Sequence, residues 1–172
     1  MKKFIAIVLL VLLTVSIVSC KKSDAPDGMM DVAAKNAKFH LYVPETWYEQ
    51  TETSTAASPY RDGANVNATA YLAETLYTAE SYWNELAKGE IEAAFKDLTV
   101  LDAECGDTEL GGIAAKRYVY DAKLGGVTYR YMQVIAVDGN MVYTLTYTAT
   151  PDTYATHLED VESIRANFTF KQ

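Results

Sequence analysis

Apolar and polar residues alternate along several short segments of this chain, and that alternation is the period of a β-strand with one buried face. These segments predict strands, in chain order, at 38–43, from 47, and at 66–72, 99–105, 114–122, 127–137, 141–149 and 168–171. Asp138-Gly139 predicts a tight hairpin turn, because both central residues of such a turn must tolerate positive φ. Segments 51–63 and 106–112 are rich in turn residues and predict connections.

Two other segments have the longer period of a helix. Thr78 is a predicted N-cap for a helix over 79–97, in which Gly89 is a candidate break. Thr150 and Pro151 predict the start of a second helix. One face of that helix carries Tyr154, Leu158, Val161, Ile164 and Phe168. Long hairpins with two interspersed helices predict an α+β fold whose largely antiparallel sheet is covered by helices.

The first twenty residues carry a different pattern, a positive start followed by an apolar run. Lys2 and Lys3 precede apolar residues 4–18, and the small residue Ser19 stands directly before Cys20. This arrangement resembles a bacterial lipoprotein lipobox, which predicts that residues 1–19 are a signal peptide and that Cys20 is the lipidated residue. The cysteine thiolate is the nucleophile that would take the lipid, and each buried methylene then contributes about 0.8 kcal/mol to anchoring.

Two other interpretations of this segment stay open. One is an uncleaved transmembrane anchor, although the apolar run is shorter than the roughly 20 residues that span a bilayer core. The other is a plain secretory signal with a coincidental cysteine. The lipoprotein interpretation predicts attachment to the cell membrane on its extracytoplasmic side, with Cys20 and a flexible tether over 20–37 and one domain over 38–172.

The composition narrows the classes of partner. The formal net charge is −8, which argues against nucleic acid and against adsorption of the domain to anionic lipid. The chain has two cysteines, so assigning Cys20 to the anchor leaves Cys105 without a disulfide partner in the chain. Cys105 is predicted to be a small half-buried strand residue, and its alternative role as a nucleophile would need a nearby base, His40 or His157.

No segment of the sequence has the spacing of a catalytic, cofactor-binding or metal centre. His40 and His157 lie in different predicted elements without a partner at zinc-binding spacing. The densest acidic stretch, 102–109, lacks the calcium-loop pattern and is predicted to be a solvated turn. The sequence has no phosphate loop, dinucleotide fingerprint or Gly-x-Ser-x-Gly elbow. We therefore expect no cofactor, no metal and no enzymatic activity.

Short motifs near both ends of the predicted domain resemble those of PsbP-like domains. The run FHLYVPETW at 39–47 is similar to their aromatic-apolar-Pro-x-x-Trp start. Residues 143–147 lead into a helix and a strand, and 164–170 have the Phe-x-Phe style of ending of those domains. The resemblance covers about 38–171 and implies an α/β/α sandwich around a mostly antiparallel sheet. It also implies binding and accessory roles, which in that family include support of photosystem assemblies and binding of small GTPases.

Tyrosines are concentrated on the predicted strands of the second half. Strand alternation predicts that Tyr129 and Tyr131 share a face, as do Tyr143 and Tyr147. Tyrosine joins apolar area to a hydroxyl, so these residues are a candidate ligand or partner surface, with cross-strand packing beneath helices as the alternative. The predicted function is a non-catalytic binding or accessory module for an envelope protein or a small ligand. The alternatives are an envelope hydrolase with a carboxylate-based site and a purely structural lipoprotein.

Overall fold

An antiparallel sheet of eight strands organises residues 25–171, the part of the chain that the computed structural model describes. The strands in chain order are β1 Met29–Asp31, β2 Phe39–His40, β3 Tyr42–Pro44, β4 Tyr48–Gln50, β5 Thr55–Ala57, β6 Asn65–Leu72, β7 Lys96–Val100, β8 Gly106–Leu110, β9 Ile113–Leu124, β10 Val127–Asp138, β11 Met141–Ala149 and β12 Thr169–Phe170. The main sheet has the order β4-β5-β6-β11-β10-β9-β7, and β8 pairs with the first half of β9. β1 pairs with β3, and β12 with β2, in two small ladders.

Helices cover both faces of this sheet. The helical segments around it are α1 Ala79–Tyr82, the π-helical turn Trp83–Ala87, α2 Lys88–Ala94, the 3₁₀ turn Tyr154–His157 and α3 Leu158–Asn167. The first three cover one face, which we call the α2 face, and the last two cover the other, the α3 face. Within 25–171 the core divides accordingly into two buried clusters, one around Trp83 and Ile91 and one around Val161 and Ile164. The structure thus confirms the predicted α+β class and the α/β/α sandwich with a mostly antiparallel sheet.

Strand β10 contributes apolar side chains to the clusters on both faces of the sheet. In β10, Met132 and Val134 belong to the cluster on the α3 face. Tyr131 and Ile135 of the same strand belong to the cluster on the α2 face. This double burial specifies the register of the sheet, since a shift of one residue would move every side chain to the opposite layer.

Thr78 caps the first helix as predicted. Its Oγ1 accepts a hydrogen bond from the Ser81 N–H at 3.0 Å, and Ser81 Oγ accepts one from the Thr78 N–H at 3.0 Å. The helix is interrupted before Gly89, at the π-helical turn Trp83–Ala87. The end residues of this turn, Trp83 and Ala87, and Ile91 are spaced four residues apart and are all buried against the sheet.

The folded chain begins before Lys38, the predicted start of the domain. β1 pairs with β3, and Val32, directly after β1, is fully buried. The Asp31 carboxylate accepts a hydrogen bond from the Leu41 N–H at 3.1 Å and so joins this segment to the strands that follow. The tether predicted over 20–37 is therefore corrected, because it is structured from β1 onward. Its few apolar residues show no period, and pairing with β3 is what makes β1 a strand.

The segments behind the lipoprotein prediction lie outside the described residues. They are 1–19, the predicted signal peptide, and Cys20, the predicted lipidated residue. Within 25–171, no helix combines the length and the apolar character needed to cross a bilayer. Lipid attachment of this chain stays a prediction.

Two segments predicted as connections contain short strands. β5 lies within 51–63 and pairs with β4 and β6, and β8 lies within 106–112 and pairs with β9. The turn between β8 and β9 consists of Gly111 and Gly112, whose φ angles are both positive, 60° and 81°. Their sequences, Thr-Ala-Ala and Gly-Asp-Thr-Glu-Leu, are too short or too polar to show the alternation of a strand, so their composition indicated connections.

The predicted hairpin at Asp138-Gly139 is present, but its turn is shifted by one residue. Asp138 pairs with Met141, so Gly139 and Asn140 are the central residues. Gly139 has a φ of 60°, which an L-residue rarely adopts, and the glycine therefore stands at the strained position of the turn.

Other boundaries differ from the prediction by several residues. The helix predicted over 79–97 ends earlier, because Phe95 already has an extended backbone. The strand predicted over 99–105 corresponds to β7, which starts earlier, and to a 3₁₀ turn, Asp102–Glu104. The second helix begins after the predicted Pro151, since a turn and a 3₁₀ segment precede α3.

Candidate functional site

The four tyrosines of the predicted surface lie on opposite faces of the sheet. Tyr143 and Tyr147 belong to the α3 face, where their exposed fractions are 6% and 0%. The Tyr143 ring packs on Phe170 with a centroid distance of 4.4 Å, and the Tyr147 hydroxyl donates to the Tyr154 carbonyl at 2.9 Å. This pair therefore belongs to the core and does not form an exposed surface, because α3 and β12 cover it.

Tyr129 and Tyr131 share the α2 face. Tyr131 is 7% exposed and stacks on Tyr120 of β9, with the ring centroids 5.1 Å apart. Tyr129 is half-buried, and its ring centroid lies 6.4 Å from that of Tyr131. Tyr131 lines an open cleft, so one member of the predicted surface contributes to the site described next.

The α2 face of the sheet is only partly covered. α1 packs over β9 and β10, and α2 reaches β7, so the polar sides of β6 and β11 stay open. The open part forms a cleft of about 430 Å³ between α2 and the sheet, which we call the threonine cleft. Its floor consists of six neutral polar side chains, namely Asn67, Thr69, Gln133, Thr144, Thr146 and Thr148.

Strand register brings these floor side chains together. Thr146 pairs with Asn67 of β6 on one side and with Gln133 of β10 on the other. Thr144 and Thr148 lie two residues away along β11, so all three threonines project from the same face. Among the described residues, none of the six floor side chains has a hydrogen-bond partner. Their hydrogen-bonding capacity is therefore available to a bound molecule.

Aromatic side chains form the rest of the cleft. Tyr82 and Phe95 are half-buried and flank the floor on the helical side. Tyr120 and Tyr131 are 1% and 7% exposed and line the cleft at its base. Neither hydroxyl has a hydrogen-bond partner within 25–171. Burial raises the pKa of both phenols, so the two hydroxyls stay protonated near neutral pH and remain donors.

The threonine cleft carries little charge. Glu90 of α2 is exposed and contributes a carboxylate to the lining. No lysine, arginine or histidine of the described residues lines the cleft. The site therefore offers hydrogen bonds and aromatic contact, but no cation that would pair with an anionic ligand.

Cys105, the candidate nucleophile, lies in a second groove beside α1 and α2. Its Sγ lies 3.3 Å from the Val119 nitrogen, which donates to it, and 3.5 Å from the Leu101 carbonyl oxygen. His40 and His157 are paired with carboxylates elsewhere in the fold. Cys105 is half-buried, directly before β8, and no histidine of the described residues serves it as a base.

Carboxylates around the second groove are dispersed. Glu80, Glu92 and part of the acidic stretch 102–109 stand at its exposed rim. Asp107 of that stretch forms an exposed ion pair with Lys116, in which Asp107 Oδ1 lies 2.7 Å from Lys116 Nζ. In the part of the chain that the structure describes, no three His, Cys, Asp or Glu side chains come together as a metal site.

Sequence reasoning missed a buried hydrogen bond between distant segments. His157 Nε2 lies 2.7 Å from Asp62 Oδ2, and Ser58 Oγ donates to Asp62 Oδ1 at 2.6 Å. Burial raises the pKa of Asp62, but the hydrogen bonds from His157 and Ser58 outweigh that effect and lower the pKa to about 2. Because Ser58 binds the aspartate and not the histidine, this arrangement is not a nucleophilic triad. No sequence motif links Asp62 to His157, because the two residues are far apart in the chain.

The sequence matches no family model and no curated protein sequence. Solved structures with a similar fold include LpqN, which is involved in cell envelope biogenesis of Mycobacterium tuberculosis, at 16% identity and a TM-score of 0.54 over 78% of this chain and 83% of LpqN. They also include the cyanobacterial PsbP protein CyanoP from Synechocystis, at 10% identity and a TM-score of 0.58 over 86% of this chain and 95% of CyanoP.

A third similar structure is PA94, a protein of unknown function from Pseudomonas aeruginosa. It has 19% identity and a TM-score of 0.53, over 78% of this chain and 92% of PA94. At these identities the similarity concerns the fold alone. The similarity to CyanoP extends over most of both chains, and the described domain, an antiparallel sheet between two helical layers, therefore has the PsbP-like fold.

Proposed function

We propose that this chain is an extracytoplasmic lipoprotein, attached to the cell membrane by lipid on Cys20, whose domain is a non-catalytic binding or accessory module for an envelope protein or a small ligand. The threonine cleft carries the binding part of this proposal. Its six floor side chains and the hydroxyls of Tyr120 and Tyr131 have no hydrogen-bond partner among the described residues. Polar groups that converge on a cleft beside aromatic side chains are typical of ligand sites, so this set supports a ligand that pairs them.

The position of the cleft is compatible with attachment to a membrane. β1, the first described strand, pairs with β3, and β3 packs against α3. The threonine cleft opens on the opposite side of the sheet, beside α2. The first described strand therefore lies on the side of the sheet away from the cleft.

The similarity to LpqN adds modest support for an envelope role. LpqN is involved in cell envelope biogenesis, and it shares its fold with this chain at 16% identity. Proteins of one fold often differ in function, so the binding proposal rests on the threonine cleft and not on this likeness.

The hydrolase alternative has less support than binding. A carboxylate-based hydrolase needs two acids that face one bond, roughly 5–10 Å apart. Glu90 is the acid that lines the threonine cleft, and the lining holds no second acid among the described residues. Cys105 lies in the other groove without a histidine partner in 25–171. We therefore infer binding and not catalysis.

The anchor is tested by fractionating cells that express the Cys20→Ser chain after metabolic labelling with an alkyne fatty acid. We expect the variant to lose the label and to leave the membrane fraction. Cys105→Ser is the matched control, because it removes the other cysteine and should keep both label and membrane attachment. Full membrane partitioning of Cys20→Ser would contradict the anchor.

The binding role of the cleft is tested with a photoreactive amino acid in place of Thr146. Thr169 is the control position, because it is an exposed threonine on β12, on the other side of the sheet. After irradiation of intact cells we expect adducts at position 146 and none at position 169, and mass spectrometry separates protein adducts from small-molecule adducts. Equal labelling at both positions would contradict a binding role for the cleft.

A further inference from the structure

The polar groups of the threonine cleft indicate one chemical class of ligand. We propose that the cleft binds an uncharged saccharide that is longer than one sugar ring. This inference rests on the proposed function, since it names the ligand of the same cleft. Charge, hydrogen-bonding capacity, aromatic contacts and length each support it.

The charge distribution disfavours ionic ligands. Phosphate and carboxylate groups are bound most strongly by arginine or lysine, and neither residue type lines the cleft within 25–171. The formal net charge of −8 also repels anions from the whole molecule. For a cationic ligand the lining offers one ionic partner, the exposed carboxylate of Glu90. An uncharged ligand needs no ionic partner and fits the lining as it stands.

The floor matches the hydroxyl groups of a sugar. A threonine hydroxyl donates and accepts, and the amides of Asn67 and Gln133 supply further donors and acceptors. A sugar presents hydroxyls that also donate and accept, whereas an apolar ligand would cover these groups without pairing them. The backbone groups of the floor strands are already used by the sheet. An extended peptide therefore finds no free strand edge here to pair with through its main chain.

Tyr120 and Tyr131 are the strongest single indication of a polar ligand. Both are more than nine-tenths buried, with exposed fractions of 1% and 7%, and both line the cleft. Neither hydroxyl has a hydrogen-bond partner among the described residues. Within 25–171 no side-chain nitrogen or oxygen that is itself buried lacks a partner, so these two hydroxyl oxygens are accessible from the cleft while their rings are buried. The rings hold the hydroxyls in fixed positions, and a ligand oxygen in the cleft would accept a hydrogen bond from each of them.

The aromatic side chains and the length of the floor favour a sugar chain. Tyr82 and Phe95 flank the floor and are half-buried, so each offers part of a ring to the C–H face of a pyranose. The backbone positions of Thr144 and Thr148 are about 13 Å apart along β11, at roughly 3.3 Å per residue. This distance exceeds the length of one sugar ring, and the cleft volume of about 430 Å³ is within the usual range for ligand sites.

Isothermal titration calorimetry tests the proposal on the full chain, purified in a detergent without a sugar headgroup. The neutral probes are maltotriose, cellotriose and chitotriose, and trigalacturonate is the anionic control of similar size. We expect binding of at least one neutral trisaccharide and at least tenfold weaker binding of trigalacturonate, because the cleft has no cation.

Two variants that each remove one hydroxyl locate the binding. Thr146→Val and Tyr131→Phe nearly preserve side-chain volume, and each should weaken binding about tenfold, the effect of one lost hydrogen bond. Thr169→Val is the matched control, since it makes the same change on the other side of the sheet and should leave the affinity unchanged. Thermal unfolding of each variant checks that the fold is retained.

Absence of binding by all three neutral trisaccharides would overturn the saccharide proposal, as would unchanged affinity in both variants. A protein adduct at position 146 in irradiated cells, together with no saccharide binding, would overturn this inference and leave the proposed function standing. Equal labelling at positions 146 and 169 would remove the proposed function as well, so the two failures are distinguishable.

Discussion

The indole nitrogen of Trp47 donates a hydrogen bond to Asp160 Oδ2 of α3 at 2.9 Å. Trp47 is 2% exposed, and its ring meets the His157 ring edge-on with a centroid distance of 5.9 Å. The aromatic motif at 39–47 is therefore joined to the first turn of α3, where a carboxylate also interacts favourably with the helix dipole. The tryptophan of this motif is a structural link between the segment before the sheet and the second helical layer.

This link predicts the effect of removing the indole N–H. Trp47→Phe leaves Asp160 Oδ2 without its donor and a small gap beside His157, so we expect the free energy of unfolding to fall by roughly 1–3 kcal/mol. Urea unfolding measures the change. Tyr48→Phe is the control on the neighbouring residue, which is 52% exposed, and should change stability by no more than about 0.5 kcal/mol. Equal effects of the two substitutions would contradict the role of the hydrogen bond.

The contact between Asp62 and His157 predicts a loss of stability in acid. The pKa of Asp62 is lowered from its ordinary value of 3.8 to about 2. A carboxylate with a lowered pKa stabilises the fold fully above the unfolded value, and that stabilisation is lost as the pH falls through the folded value. We expect Asp62→Asn to lower the free energy of unfolding by about 2 kcal/mol near neutral pH. It should also flatten the pH dependence between about pH 4 and pH 2, which urea unfolding across this range measures.

Asp97→Asn is the matched control for this prediction. The hydrogen bond from Lys123 lowers the pKa of Asp97 as well, but this ion pair stands at the surface. Surface ion pairs contribute little to stability because water and salt screen them. Asp97→Asn should therefore change the unfolding midpoint little, and an effect as large as that of Asp62→Asn would argue against the importance of burial.

A close approach between Gly111 and Phe170 predicts the cost of adding one methyl group. A Cβ on Gly111 would overlap the Phe170 ring, and Gly111 also has a φ of 60°. Gly125 has the same φ, but a Cβ there meets no atom within 4 Å. Gly125→Ala should therefore cost about 1 kcal/mol for backbone strain alone, and Gly111→Ala about 1–3 kcal/mol more, because Phe170 is packed against Tyr143. Thermal unfolding of both variants measures the difference, and equal melting temperatures would rule out the steric effect.

The hydrogen bond of the Tyr147 hydroxyl predicts that Tyr147→Phe destabilises the fold more than Tyr143→Phe does. Tyr147→Phe removes the donor to the Tyr154 carbonyl and leaves that carbonyl without this partner, at an expected cost of about 1–2 kcal/mol. Tyr143 has no hydrogen-bond partner among the described residues, so Tyr143→Phe should be nearly neutral. Urea unfolding compares the two variants. A loss for Tyr143→Phe as large as that for Tyr147→Phe would contradict the stabilising role of the Tyr147 hydrogen bond.

The long elements and the fold class were predictable because their signals are local. Alternation over many residues identified β9, β10 and β11, since the period of a strand depends only on neighbours in the chain. The cap at Thr78 was predictable for the same reason, because it involves a residue three positions away. The short strands β1, β5 and β8 were not predicted, because their few residues carry no period and their pairing with neighbouring strands of the folded chain is what makes them strands.

The candidate site was only partly predictable. Alternation correctly paired Tyr129 with Tyr131 and Tyr143 with Tyr147, but it contained no information on which helix covers which face. The threonine cleft depends on register between β6, β10 and β11 and on how far α2 extends over them. None of these relationships is visible along the chain.

The sequence by itself determined the strand periods, the first helix cap and a lipobox pattern that predicts an anchor at Cys20, because each arises from residues close together in the chain. The tertiary structure decided which tyrosines are core, where an open polar cleft remains, and that Asp62 meets His157. The physical reason is that burial and pairing are properties of surfaces brought together by folding, and local sequence does not specify which distant surface will cover a given face.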